Sequence, residues 1–426
     1  MTFSEKTLSS VSDNADIGAE NVCVSVGYSD DPDTVLAGHA AARAALRQAG
    51  MTTPCELVLL FATARHDAQI LCDVVASIVG PSALILGGGA VGAITNDRFG
   101  YAGDQVIMGC FWLGSSRYNV HIQGGLLESE EETGWQLGRQ LAKIGVSEKS
   151  PVLLFYDAID RTGGGMRMLM ATYLLAGMNR ALGFLPELTG AGLMGDYACT
   201  ATRQWLGKNV GEHHALALVF SGDIRVDTVI MHGCRPATPY YTVTKADHQT
   251  ILEIDGQPAL RFLDGLLGPA TPPKDYPFFL ILGVNKGKKW GEFDENNYAS
   301  RLCLDIDKER EGIVMFEPDM VEGTEFQIMY RNLDLDYMRP RIEDLFGGLK
   351  NGLENRRPVL ALYIDCAGRA AGYGGIDMED AVMVQKTVAG RAPILGIYSG
   401  VEIASVNGCP RGLDWTGVFS LFSVPC

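Results

Sequence analysis

The chain has 426 residues, 47% of them hydrophobic, which is enough to bury the cores of two or three domains. Its formal charge of −16 leaves no basic surface for phosphate groups, so the composition argues against binding to nucleic acid or to an anionic membrane. Its apolar runs are far shorter than the roughly 20 residues that cross a bilayer, and its start has no signal-peptide pattern, so we expect a cytoplasmic protein.

The first twenty residues are polar and predict a disordered tail, and after them the same order of elements recurs three times. Each copy opens with a β-type segment, continues through an amphipathic helix and reaches a compact apolar strand. A second helix follows, then a short strand broken by glycines, then a closing strand. The opening segments are 22–26, 118–122 and 325–330; the compact strands are 57–61, 152–156 and 359–364; the glycine-broken segments are 86–92, 188–195 and 395–400; the closing strands are 106–113, 215–220 and 417–424.

This alternation of helices with buried apolar strands predicts an α/β fold with mixed β-sheets flanked by helices, built from repeated β-α-β-α-β units. Three- and four-residue spacing places one set of apolar side chains on a single helical face. These residues are Leu335, Met338, Ile342, Leu345, Phe346 and Leu349. An insert at about 234–323, rich in Pro, Gly and charged residues, separates the second and third copies. We therefore predict an N-terminal domain over 21–270 and a C-terminal domain over 271–426.

Two of the glycine segments match the dinucleotide pattern G-x-G-x-x-G. They are Gly87-x-Gly89-x-x-Gly92 and Gly190-x-Gly192-x-x-Gly195. In a nucleotide site a helix begins at these glycines and points its N–H groups at the pyrophosphate. Here the following residues favour strand or loop. We therefore expect a steric role, in which glycine lets another backbone or a ligand approach closely, and keep nucleotide binding as an alternative.

Polar side chains gather at two strand exits of the third copy, which are expected to face a common crevice. They are Asp365, Cys366 and Arg369 after the compact strand, and Tyr398, Glu402 and Asn407 at and after the glycine break. Arg369 could grip a carboxylate and Glu402 could receive an ammonium group, as an amino acid would require. The alternative is that Arg369 and Glu402 pair with each other.

Three further strand exits carry candidate residues. Asp157 and Arg161 form the corresponding pair in the second copy, where they either line the cleft or form a surface ion pair. His232 and Arg235 follow another strand, and His232 is either a structural residue or a haem ligand. Cys366 is either a thiol that lines the ligand site or a nucleophile. Familiar catalytic motifs are missing from the sequence, so we expect a binding protein, with a Cys-dependent or nucleotide-dependent enzyme as an alternative.

Several segments together resemble the FIST domain proteins. Residues 232–236, 241–245 and 252–259 resemble the end of the N-terminal FIST domain, and Cys366-Ala-Gly-Arg369 and 397–403 with Asn407 resemble the C-terminal FIST domain. The resemblance implies an intracellular sensory protein of signal transduction that binds a small molecule such as an amino acid. No output domain follows in this sequence, so we expect it to signal through a separate partner, such as a histidine kinase. Some stand-alone members resemble haem-binding nitric oxide sensors, which makes haem the alternative cofactor, with His232 as its axial ligand.

Overall fold

A computed structural model describes residues 22–51, 53–351, 355–374 and 377–426. The predicted tail over 1–20 lies outside the described residues. Within them, three similar α/β units surround a common core, and a further β-sheet is inserted into the third unit.

The first unit forms a mixed sheet with two helices on its outer face. Its elements are β1 (Cys23–Ser29), α1 (Thr34–Ala49), β2 (Leu57–Ala62), α2 (Ala68–Val79), β3 (Leu84–Gly89), β4 (Gly92–Ile94), β5 (Phe99–Tyr101) and β6 (Val106–Trp112). Strands β2 and β3 are parallel, whereas β6 is antiparallel to both β1 and β2. Asp33 and Asp67 begin the two helices, because each side chain accepts a backbone N–H of the first turn.

The second unit repeats this arrangement. Its elements are β7 (Arg117–Gly124), α3 (Glu130–Lys143), β8 (Pro151–Asp157), β9 (Ile159–Asp160), β10 (Arg167–Met168), α4 (Ala171–Leu182), β11 (Glu187–Leu193), β12 (Gln204–Leu206), β13 (Asn209–Gly211) and β14 (His214–Ser221). Strands β8 and β11 are parallel, and β14 is antiparallel to β7 and β8. The mixed sheets flanked by helices that the sequence predicts are therefore confirmed.

The third unit begins with β15 (Arg225–Met231) and is then interrupted by the insert. The insert comprises β16 (Cys234–Pro236), β17 (Tyr241–Asp247), β18 (Thr250–Ile254), β19 (Gln257–Pro258), α5 (Ala259–Leu267), β20 (Ile281–Asn285), β21 (Tyr298–Asp307), β22 (Gly312–Met315) and β23 (Glu325–Arg331). Because β23 pairs with both β17 and β20, the strand pairings of the insert close into a ring. The predicted boundary at 270/271 lies between α5 and β20, inside this insert, and stays a prediction.

After the insert, the third unit resumes. Its remaining elements are α6 (Met338–Asn351), β24 (Arg356–Cys366), α7 (Ala371–Gly374), α8 (Asp380–Val388), β25 (Ile394–Ser399), β26 (Val401–Val406), β27 (Cys409–Leu413) and β28 (Gly417–Pro425). The prediction that 325–330 opens this unit was wrong. That segment is a strand, β23, but it belongs to the inserted sheet, and β15 takes the opening position beside β28. The insert lies between the first strand and the first helix of the unit, so the order of segments along the chain was misleading.

Each of the three sheets is completed by a hairpin from another unit. The hairpin β12–β13 of the second unit pairs with β3 of the first. The hairpin β26–β27 of the third unit pairs with β11 of the second, and the hairpin β4–β5 of the first pairs with β25 of the third. This exchange is cyclic, so the three units are bound to one another through backbone hydrogen bonds as well as through side-chain packing.

The chain changes sheets at the glycine segments that the sequence singled out. Gly87 has φ of 133°, and a Cβ atom there would lie 2.0 Å from the Leu60 carbonyl oxygen. A Cβ atom at Gly190 would lie 1.8 Å from the carbonyl oxygen of Leu154. Both segments continue into strand or loop rather than into a helix. The predicted steric role is confirmed, and the helix that a dinucleotide site requires does not follow either segment.

The central core forms where the inner faces of the three sheets meet. Phe61 of β2 packs edge-on against Phe155 of β8 with ring centroids 5.3 Å apart, and Leu362 of β24 belongs to the same cluster. The alternate residues of these strands, such as Leu60 and Leu154, point outward to the helices. Burial on both faces explains why the compact strands read as continuous apolar runs.

Candidate functional site

A cavity of about 360 Å³ lies where strand ends of the second and third units meet the inserted sheet. Met194 follows β11, Cys366 ends β24, and Gly400 follows β25. Leu302 and Leu304, on β21 of the insert, also line the cavity. The other lining residues are Met166, Met168, Tyr197, Cys199, Phe278, Phe316, Ala367, Gly368, Tyr373 and Asp414. The volume falls within the range of small-molecule sites.

Most of the cavity wall is apolar, and it is rich in sulfur and aromatic rings. The rings of Tyr197 and Tyr373 stack with their centroids 3.7 Å apart, and Cys199 Sγ lies 3.5 Å from Met194 Sδ. Phe278 and Tyr373 are 57% and 58% exposed, so these two rings lie at the opening of the cavity. Thioether and aromatic groups form an adaptable surface for the apolar part of a ligand.

Asp414 is the acidic residue in this wall. Its Oδ2 accepts the backbone N–H of Leu302 at 3.0 Å, while its Oδ1 is buried without a hydrogen-bond partner among the described residues. Burial raises the pKa of this carboxyl from 3.8 to about 7, although Arg301 opposes the rise. A buried polar atom without a partner is costly, so the free Oδ1 is where a donor from a ligand would be most strongly stabilised.

The neighbouring buried charges are already engaged within the protein. Arg301 donates to both carboxylate oxygens of Asp319, at 2.5 and 2.6 Å. Glu317 accepts the N–H groups of Ala171 and Thr172, where α4 begins. Glu317 therefore fixes the insert against the second unit, and Arg301 and Asp319 pair within the insert.

Arg369 is buried beside the cavity, and protein groups accept all of its N–H bonds. Its Nε donates to Asp365 at 3.2 Å and to Asp380 at 2.9 Å. Its Nη1 donates to the carbonyl oxygens of His232 at 2.8 Å and Trp415 at 3.2 Å. Its Nη2 donates to Asp380 and, at 3.0 Å, to the hydroxyl of Tyr337.

This arrangement corrects both sequence-based expectations for Arg369. Its partners are Asp365 and Asp380, not Glu402 and not an open position for a ligand carboxylate. Burial alone would lower the pKa of Arg369, but Asp380 and other neighbours raise it well above its usual value. The guanidinium group therefore ties β24 to α8 and to the start of the insert.

Tyr398 and Glu402 of the third unit are also buried. The hydroxyl of Tyr398 donates to Glu379 at 2.8 Å. Glu402 accepts from the Ser399 hydroxyl at 2.9 Å and from the Thr416 N–H at 3.3 Å. Burial raises the pKa of Glu402 well above its usual value, and the charges of Asp365 and Asp414 add to this rise. Glu402 therefore lies behind the cavity wall, inside the protein.

Cys366 is the predicted residue that does line the cavity. Burial raises the pKa of its thiol well above the usual value, and the charge of Glu402 adds to the effect. A thiol with a raised pKa is a poor nucleophile because little thiolate forms near neutral pH. The geometry therefore favours the ligand-lining role of Cys366 over the catalytic one.

The predicted residues of the second unit do not pair with each other. Asp157 accepts the backbone N–H of Ile159 at 3.1 Å and of His213 at 2.9 Å. Arg161 donates to the carbonyl oxygens of Ala198, at 2.5 Å, and Cys199, at 2.7 Å. Arg161 therefore fixes the loop that carries Cys199 into the cavity wall, whereas Asp157 stabilises its own turn.

Arg235 and Asn407 lie outside the cavity wall. Arg235 is exposed, with its guanidinium carbon 5.2 Å from the centre of the Phe293 ring. Asn407 occupies the turn between β26 and β27 with φ of 49°, and its side chain donates to the Lys286 carbonyl at 2.7 Å. The Asn407 contact links the third unit to the insert, whereas the Arg235 contact lies within the insert.

His232 does not fit the haem alternative. Its side chain is fully buried, and its Nδ1 accepts the backbone N–H of Cys234 at 2.9 Å. Its Nε2 has no hydrogen-bond partner in the described residues, and the residue does not line the cavity of about 360 Å³. An axial ligand needs an open face beside the imidazole for the macrocycle, and burial has instead lowered the pKa of His232.

Asp414 was missed because no motif surrounds it. It lies between β27 and β28, and Leu302, whose N–H its carboxylate accepts, is 112 residues away in the chain. The available signal was a single carboxylate between two apolar strands. The apolar lining residues were also missed, because methionines and aromatic residues in isolation read as core.

Comparisons with known proteins give two family matches and several distant relatives. Residues 56–257 match the FIST N domain, and residues 259–405 match the FIST C domain. Uncharacterised proteins of Mycobacterium tuberculosis are 26% identical over 198 residues, which is 46% of this chain and 50% of theirs. One of Methanocaldococcus jannaschii is 25% identical over 159 residues, 35% of this chain and 29% of its own. The chain thus spans about half the length, or less, of these curated relatives.

Among solved structures, a cyanuric acid hydrolase from A. caulinodans superimposes with a TM-score of 0.36 and 8% sequence identity. The superposition covers 95% of this chain and 100% of that one. At this TM-score it assigns neither a fold nor an activity to the chain.

Proposed function

The chain belongs to the FIST family, whose domains are sensory ligand-binding domains of signalling proteins, and on this premise we propose that the cavity beside Asp414 is the ligand site of a sensor. One observation carries the proposal: both FIST regions line the cavity. Met194 and Cys199 come from the FIST N region, and Leu304 and Cys366 come from the FIST C region. A ligand in this position would contact both regions at once.

Such a position suits a protein that converts occupancy into a change of shape. A ligand shifts a conformational equilibrium only by its difference in affinity for the two states. Contacts with both FIST regions provide that difference whenever the two states differ in how the regions pack. We propose that a separate signalling protein, such as a histidine kinase, responds to this change in the cytoplasm. In the described residues, no helix combines the length and apolar character needed to cross a bilayer.

The geometry changes which small molecule we propose. The expectation of an amino acid depended on Arg369 receiving its carboxylate, but Asp365 and Asp380 already occupy that guanidinium. Among the described residues that line the cavity, none is Arg, Lys or His. We therefore propose a small molecule with a largely apolar body. We also propose that the protein is a sensor without catalytic activity, which the raised pKa of Cys366 supports.

The test of the ligand site fills the cavity. Leu304→Trp places a large ring in the wall, and Leu333→Trp, at a residue that is 70% exposed, is the matched control. A thermal-shift screen of small apolar molecules should find compounds that raise the Tm of the wild type and of Leu333→Trp but not of Leu304→Trp, because a bound ligand stabilises the folded state. Equal stabilisation of all three proteins would place the ligand elsewhere.

Transmission to a partner is tested with the same variants. A compound that passes the first test should change the autophosphorylation rate of a histidine kinase that the protein binds. Leu304→Trp should abolish that change, and Leu333→Trp should preserve it. A ligand effect that persists in Leu304→Trp would contradict transmission from the cavity.

A further inference from the structure

Given the proposed function, on which this inference rests, the next question is which chemical group of a ligand the cavity recognises. Its wall combines aromatic rings with one carboxyl group, and among the described residues that line it, Asp414 Oδ1 is the buried side-chain oxygen that has no protein donor. Asp414 is 4% exposed, so water has little access to compensate for that missing hydrogen bond. We propose that the ligand is an amine with an apolar body, whose single ammonium group pairs with Asp414.

The charges around Asp414 favour a cation over any other donor. Glu317 and Asp319 lie close enough for their charges to raise the pKa of Asp414 further, and Arg301 is the cation that opposes them. Arg301 is already bonded to both carboxylate oxygens of Asp319. An ammonium group beside Asp414 would add the positive charge that this group of buried acids lacks.

The aromatic wall supports the same ligand. Tyr197, Tyr373, Phe278 and Phe316 line the cavity, and aromatic rings attract a cation through their negative quadrupole, while the methionines accommodate the apolar body. An anionic ligand would meet Asp414 without any lining Arg, Lys or His to balance it. The cavity therefore selects against carboxylates, including the free amino acids.

The test compares four molecules of similar size by isothermal titration calorimetry at pH 8. They are 2-phenylethylamine, 2-phenylethanol, 3-phenylpropanoate and L-phenylalanine. The wild type should bind the amine roughly ten- to a hundredfold more tightly than the alcohol, because a hydrogen bond to a charged group is stronger than a neutral one. Asp414→Asn should remove most of this preference. Asp305→Asn, which removes an exposed carboxylate of β21, should retain it.

Affinity for the amine should also depend on pH. Because the pKa of Asp414 is about 7, lowering the pH from 8 to 5.5 protonates the carboxyl and should weaken amine binding by roughly tenfold or more, with no change for the alcohol. The other charged or titratable groups that act on Asp414 are Arg301, Glu317, Asp319, Glu402 and Tyr156. The comparison with the alcohol corrects for their titration, and it needs only the wild type if Asp414→Asn fails to fold.

Four results would overturn the inference. They are equal affinity for the amine and the alcohol, amine binding that Asp414→Asn leaves unchanged, tighter binding of either carboxylate, and no binding of the amine. If one of these results is found, and Leu304→Trp abolishes binding of the alcohol or carboxylate that does bind, the amine inference fails but the cavity remains the ligand site. If the bound compound is unaffected by Leu304→Trp, the proposed function itself fails.

Discussion

Two neighbouring regions of the third unit show opposite ways of burying charge. Around Arg369, the five N–H bonds of the guanidinium meet carboxylates, carbonyls and a hydroxyl. Around Asp414, one carboxylate oxygen accepts a backbone N–H and the other has no partner among the described residues. The Arg369 guanidinium is saturated within the protein. Asp365 Oδ2 and Asp380 Oδ1 beside it also lack partners among the described residues, but neither residue lines the cavity, whereas Asp414 does.

The comparison teaches that polarity at a strand exit does not by itself mark a binding site. Arg369, Asp365 and Glu402 have the side chains that a ligand site needs, but their hydrogen bonds serve the fold. Asp414 is the acidic residue of a largely apolar cavity wall, so it is the unpartnered carboxylate that a ligand in the cavity would contact. A missing partner together with a position in the cavity wall distinguishes Asp414 from the carboxylates around Arg369.

The largest expected effect separates the two regions by stability. Arg369→Ala should lower the free energy of unfolding by about 3–5 kcal/mol, because it leaves Asp365 and Asp380 as buried carboxylates without their cation. Urea unfolding followed by circular dichroism measures the change. Arg161→Ala, which removes an exposed arginine bonded only to carbonyl oxygens in the structure, should cost about 1 kcal/mol or less.

A well-folded Arg369→Ala protein that has lost ligand binding would break the comparison. That result would return Arg369 to the ligand site and make the region around it functional rather than structural. A small loss of stability with ligand binding intact would instead show that the buried acids accept protons when their cation is removed.

The next effect has the opposite sign and sharpens the contrast. The folded-state pKa of Asp414 is raised from 3.8 to about 7, so the folded protein holds this proton more tightly than the unfolded chain. Asp414 therefore lowers stability progressively as the pH rises from about 4 to 7. Asp414→Asn removes this penalty and should increase the free energy of unfolding at pH 8 by up to about 4 kcal/mol, with little difference at pH 4.

Parallel urea titrations of the wild type, Asp414→Asn and Asp305→Asn from pH 4 to pH 8 measure this effect. The stability difference between Asp414→Asn and the wild type should grow across that window, and Asp305→Asn should track the wild type. A loss of stability in Asp414→Asn at every pH would show that the carboxylate stabilises the fold, and the distinction between the two regions would disappear.

The sequence predicted the general architecture because burial on both faces leaves a strong pattern. The compact strands β2, β8 and β24 read as apolar runs, and the glycine segments marked the places where the chain changes sheets. The sequence-based prediction for 325–330 was wrong because of the insert, which separates β15 from α6 by more than a hundred residues. No local pattern can report a partner that distant.

The sequence predicted the position of the candidate site better than it predicted the residues that form it. Strand ends do converge on a cavity, and Cys366 lines it. The roles of Arg369 and Asp414, however, depend on which groups reach them from elsewhere in the chain. Asp380 and Tyr337 help to saturate Arg369, whereas in the described residues only the Leu302 N–H donates to the Asp414 carboxylate. Saturation is a property of the folded structure, so single residues in a sequence do not reveal it.

The smallest expected effect concerns Asn407, which the sequence grouped with the ligand site. Its φ of 49° lies in the left-handed region, and its side chain donates to the Lys286 carbonyl. Asn407→Ala should cost about 1 kcal/mol, because alanine tolerates this φ poorly and cannot replace the hydrogen bond. Asn407→Gly should cost less, because glycine adopts positive φ freely.

Thermal unfolding of both variants measures the difference, and both should bind ligand as tightly as the wild type, since Asn407 lies outside the cavity wall. Weaker ligand binding in both variants at unchanged stability would extend the site to the β26–β27 turn and blur the boundary between the two regions.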